Sequence, residues 1–172
     1  YTMGLVTGAF NGILWGEYLN LKNDTLDVTS MAAIATGGAA GYFLGDQLRP
    51  TRAQITYGLT LGIMGTVSSL LLNNALDADY DKTLGAVLAG DMAGGIGLYT
   101  GRNLDWSLPR ARLVTLTAFL GGLGGFATGV LLDGSSRQKS STTFVGMWTG
   151  FGLGIHFTKN MKTAKRFQLS MN

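Results

Sequence analysis

The chain has no cysteine, one histidine and two prolines in 172 residues, and only 13% of its residues are charged. Without cysteine there are no disulfides, thiolate metal sites or cysteine nucleophiles. A lone histidine, His156, leaves little for metal or acid–base chemistry. Soluble domains are usually about 25% charged, so this chain has too little charge to cover a small globule. No H-E-x-x-H, G-x-S-x-G or phosphate-binding loop is present. The stretch Gly122-Leu123-Gly124-Gly125-Phe126-Ala127 matches G-x-G-x-x-A, but a dinucleotide site needs a preceding strand and an acid about 20 residues on. That stretch reads better as the middle of a helix. No enzyme activity, metal or cofactor is therefore expected. The basic tail lacks the interleaved aromatics of a nucleic-acid site, so no nucleic-acid partner is expected either.

What the chain has instead is glycine, 27 of them, within a 46% hydrophobic composition. Apolar segments fall at about 3–19, 31–48, 53–73, 83–101, 111–132 and 142–158. Polar connectors such as NLKNDTLD, NNALDADYD and DGSSRQKSS separate them. Small residues recur at a spacing of four in every segment. The series are Gly4, Gly8, Gly12, Gly16; Ala33, Gly37, Gly41, Gly45; Gly58, Gly62, Thr66; Gly85, Ala89, Ala93, Gly97, Gly101; Gly121, Gly125, Gly129; and Gly146, Gly150, Gly154, Thr158. Residues four apart share a helix face. Each interior glycine costs about 1 kcal/mol of helix propensity relative to alanine. Close helix–helix contact of the small-xxx-small kind, common in membranes, offsets that cost. A strand reading fails because LVTLTAFLGGLGGFATGVLL lacks strict alternation.

The segments predict an all-α fold, a six-helix bundle of three repeated hairpins packed by glycine stripes. One domain covers 1–172, with repeats at about 1–50, 51–109 and 110–162 and a basic tail at 163–172. The ends of the second helices align as GYFLGDQL, GLYTGRNL and GIHFTKNM. Pro50, Gly62 and Gly65 align with Pro109, Gly121 and Gly124 at one constant offset. Pro50 and Pro109 are expected in first helical turns, with Ser107 as a cap.

The faces opposite the stripes are mainly apolar as well. A helix apolar all round is deeply buried or faces lipid, and a chain this short cannot bury six of them. A multi-pass transmembrane protein is therefore expected, with the lipid bilayer as one partner and further copies or other membrane subunits as the others. Arg49, Arg52, Arg102, Arg110, Arg112, Lys159, Lys162, Lys165 and Arg166 fall at even-numbered connectors and the tail. Only Lys22, Lys82, Arg137 and Lys139 fall at odd ones. By the positive-inside rule the even connectors and the C-terminal tail are cytoplasmic. The mean hydropathy of +0.23 is low for six spans, which keeps a soluble or peripheral glycine-zipper scaffold as the alternative.

The expected role is a channel or transport element, or a structural subunit of a membrane assembly. Three polar residues within the segments are candidate lining groups: Asp91, His156 and Asn11. Asp91 stands out, because a charge at mid-span costs about 2.5–3.5 kcal/mol on insertion scales and normally faces a cavity or a partner. Trp148 lies deeper than the span ends and is expected to fill space.

Overall fold

Four capped helices make up the described part of the fold. In this computed structural model, residues 35, 49–77 and 81–161 are described. The helices are α1 (Arg52–Leu76), α2 (Lys82–Gly101), α3 (Leu108–Leu131) and α4 (Ser136–Phe157), and no strand occurs among the described residues. The expected hairpin over 1–50, with Asn11, Gly4, Gly8, Gly12, Gly16, Gly37, Gly41 and Gly45, lies outside the described residues, as does the tail over 163–172.

Each helix starts where a side-chain oxygen meets an orphan backbone N–H. Thr51 caps α1 and Ser135 caps α4, both as full capping boxes with Gln54 and Gln138. Asp81 caps α2, and Ser107 caps α3 as expected, with Pro109 in its first turn. Pro50 instead precedes the cap of α1 and stays outside the helix. The start of α4 corrects the sequence reading. Ser136–Ser141, assigned above to a connector, is helical, because the Ser135–Gln138 box sets the boundary and the apolar run does not. Asp77 and Asp133 end the odd-numbered helices in left-handed conformation, with φ of 53° and 51°. Aspartate tolerates that region better than most non-glycine residues.

α1 and α2 form one antiparallel hairpin, and α3 and α4 form a second. α1 also packs against α3 and α4, whereas α2 touches α1 alone among the described helices. The core lies between α1, α3 and α4. It is built from Met64, Val114, Ala118, Met147 and Phe151, flanked by Tyr57, Leu61, Val67, Trp106 and Ile155.

Beside this small apolar core, several polar side chains are buried while one face of α3 is left apolar and exposed. Thr60, Ser68, Asn73 and Ser140 are buried, while Leu116, Phe119, Leu120, Leu123 and Phe126 of α3 are about half exposed. α1 and α3 are each long and apolar enough to cross a membrane, with mean hydropathies of 1.5 and 1.6. Only 28% and 17% of their most apolar windows are buried in the fold.

Candidate functional site: a polar ladder along α1

The charged ends follow from the hairpins. α1 and α3 begin at the end where α2 and α4 finish. That end gathers Arg49, Arg52, Arg102, Arg110, Arg112 and Lys159 with one acid, Asp105. The opposite end holds Asp77, Asp81 and Asp133 with Lys82, Arg137 and Lys139. Arg110 lies over the Trp106 ring at 4.6 Å and donates to Thr158 Oγ1 at 3.3 Å, which joins the start of α3 to the end of α4. Trp106 meets the Tyr57 ring edge-on at 4.9 Å.

Between the ends, α1 carries a series of interhelical polar contacts. The Thr60 and Thr115 hydroxyls share a hydrogen bond at 2.6 Å across α1 and α3. Trp148 Nε1 donates to Ser68 Oγ at 2.9 Å, and Asn74 Nδ2 donates to Ser140 Oγ at 2.7 Å, both from α1 to α4. Asp77 and Arg137 close the series as an exposed ion pair, of a kind that contributes little. Among the described residues no buried side-chain nitrogen or oxygen lacks a partner. In a bilayer each such interhelical bond is worth about 0.6 kcal/mol and up to about 1.7. Trp148, 40% exposed, packs against Phe144 and Phe151 and also ties α4 to α1 through its indole N–H.

Of the expected lining residues, Asp91 is exposed on α2, and His156 is exposed in the last turn of α4, with Phe157 edge-on to its ring at 5.7 Å. α2 and α4 do not touch, so the two are not brought together. Neither joins the ladder. Its members, Thr60, Thr115, Ser68, Trp148, Asn74 and Ser140, were missed as a set. Thr60 and Ser68 lie within the apolar segment and Asn74 just past it, among further polar residues such as Thr56, Thr66, Ser69 and Asn73, so nothing singled them out. Their partners come from the other hairpin, and one chain of letters does not show that pairing.

Several glycines of both hairpins lie close to the backbone of the facing helix. A methyl group placed on Gly97 would sit 2.9 Å from Gly58 Cα, and one on Gly62 would sit 3.4 Å from Gly94 Cα. Gly58 faces Leu98, and Gly101 faces Gln54 and Tyr57. In the second hairpin, methyl groups on Gly121 and Gly129 would fall 2.9 Å from the Cα atoms of Gly150 and Lys139. On Gly125, Gly146, Gly150 and Gly154 the nearest Cα would be 3.0 Å away. Real Cβ atoms do not tolerate the shortest of these contacts with backbone. By contrast, Gly95, Gly124 and Gly152 have nothing within 4 Å. Among the described residues no group of three His, Cys, Asp or Glu side chains could hold a metal.

No protein-family model, curated protein or solved structure matches the chain.

Proposed function

We propose that the chain is an integral membrane protein whose hairpins are held by glycine-stripe contacts, and that it serves as a structural subunit of a membrane assembly. The observation that carries this reading is the apolar outer face of α3 beside polar groups buried within the fold. Phe119, Leu120 and Leu123 point outward while Thr60, Ser68 and Asn73 are inside. Leaving large side chains about half exposed to water forfeits roughly half of the 1.5–3 kcal/mol that full burial of each would bring, about 1 kcal/mol each, whereas hydrocarbon accepts them without cost. The charge split supports a multi-pass topology with the basic end, and with it the C-terminal tail, on the cytoplasmic side. Further copies of the chain or other membrane subunits are the partners proposed for its outer faces.

A channel or transport element is the second form of this reading, and Asp91 is the residue that favours it. The ladder favours the structural form, since its interior polar atoms bond to one another, whereas a conducting path needs groups that exchange partners with water. Asp91→Asn decides between them. A transport element is expected to change its ion or proton flux in proteoliposomes while its helix content stays the same. Equal flux in the two proteins removes Asp91 as a lining residue.

A peripheral or soluble scaffold draws support from the polar first turns of α4, Ser136–Thr143. Alkaline carbonate extraction separates it from the membrane reading. The chain is expected to stay in the membrane pellet and to float with liposomes. Recovery in the supernatant without detergent would overturn the membrane reading in favour of the scaffold.

A further inference from the structure

Between α1 and α3 lies a groove of about 650 Å³. Ile63 and Val67 wall it on one side, and Leu116, Phe119, Leu123 and Phe126 on the other. The hydroxyls that reach it are already committed. Thr56 donates to Arg52 O at 2.9 Å and Thr143 to Lys139 O at 2.6 Å; of Thr60 and Thr115, one hydroxyl donates to the other and the second to the carbonyl of its own preceding turn, Thr56 O or Ala111 O. Such a surface suits hydrocarbon and offers a polar ligand nothing along its length.

One end differs. Arg112 lines the groove at the basic end of the bundle. The Asp77–Arg137 ion pair lies at the opposite end. From Arg112 to Phe126 the groove follows about 21 Å of helix at 1.5 Å per residue, close to an extended chain of about sixteen carbons. A guanidinium is well shaped for two parallel hydrogen bonds to a phosphate. At the same end of the bundle Arg49, Arg52, Arg102, Arg110 and Lys159 outnumber the single acid, Asp105.

We infer that this groove holds an acyl chain of an anionic phospholipid, with Arg112 binding the headgroup phosphodiester. The inference rests on the membrane reading above. A lipid held this way fills the seam between the two hairpins and fixes how they meet.

The absence of cysteine allows a direct test, because any introduced cysteine is unique. Gly122 lies in the groove, and a Cβ there meets Met147 at an ordinary 3.5 Å, so Gly122→Cys fits. Leu153→Cys, on the exposed face of α4, reports ordinary surrounding lipid. Each carries a benzophenone photoprobe in vesicles of phosphatidylcholine with a minority of phosphatidylglycerol. Adducts are identified by mass. The ratio of phosphatidylglycerol to phosphatidylcholine adducts is expected to be about fivefold higher at position 122 than at 153, the effect of one cation beside an anionic headgroup. Arg112→Gln is expected to return it to the level at 153 while circular dichroism and flotation stay unchanged. Equal ratios at the two positions in a chain that floats would overturn the lipid site alone. So would adducts at 122 joined mainly to residues 1–48 or to a second copy, which would name a protein occupant. A chain that fails to float overturns the membrane reading and the site with it.

Discussion

Gly121→Ala is expected to destabilise the α3–α4 hairpin by about 1–3 kcal/mol, whereas Gly124→Ala, one turn away, is expected to stabilise it by about 0.4–1 kcal/mol. The two substitutions add the same methyl group to the same helix. At Gly121 that methyl falls against the Gly146 carbonyl and 2.9 Å from Gly150 Cα. Both are backbone atoms of α4, so no side chain can swing aside and the whole helix must move. Gly125 and Gly129 use the same slot further along, against Thr143 Cα at 3.0 Å and Lys139 Cα at 2.9 Å. Displacing α4 at one level therefore loosens its neighbours too. At Gly124 nothing lies within 4 Å, and only the gain in helix propensity remains. Gly65→Ala and Gly95→Ala form the matching pair in the first hairpin. Gly65 faces the Ala89 carbonyl and the Ala93 Cβ at 2.6 Å, and Gly95 faces open space. Unfolding by denaturing detergent in mixed micelles reads all four. Shifts of the same sign within each pair would remove close backbone approach as the reason for these glycines.

The helical content of the four described runs was legible because each carries a period-four series of small residues and no alternation. Boundaries were legible where the run and the cap coincide. Ser107 caps α3 beside Pro109 as read, and Lys82–Gly101 lies within a residue of the segment at 83–101. The start of α4 was not, because Ser136–Thr143 has no apolar stripe and its helix is set by a capping box written in polar letters. The ladder was hidden for a different reason. Ser68 and Trp148 are 80 positions apart, and Thr60 and Thr115 are 55 apart. Nothing local to either member specifies its partner. Asp91 drew attention through its cost at mid-helix, yet α2 has only α1 as a described neighbour. The cost argument holds for the environment of the whole span and does not identify which side chain a residue meets.

Leu120→Arg is expected to lower membrane insertion about a hundredfold. On insertion scales leucine contributes about −0.5 kcal/mol and arginine about +2.5 kcal/mol at the centre of a span, and each 1.4 kcal/mol is a factor of ten. Leu120 is mid-way along α3 and 54% exposed, so its replacement disturbs little packing within the chain. That makes the substitution diagnostic. In water an arginine at an exposed helical position changes stability by no more than about 0.5 kcal/mol, and it improves solubility. The same substitution therefore has opposite consequences in the two surroundings. Phe119 and Leu123 flank the site on the same helix at 63% and 49% exposure, so Phe119→Arg should repeat the effect. Thr117→Arg should not serve as a control, because the Thr117 hydroxyl bonds to Leu113 O and lies against Gly154. Arg at Leu132, just past the helix and 73% exposed, is the proper control. It lies at the end of the span, where a long cationic side chain reaches the interface. Quantitative carbonate extraction gives the retained fraction of each variant. Retention of Leu120→Arg equal to that of Leu132→Arg would mean that the outer face of α3 does not meet hydrocarbon.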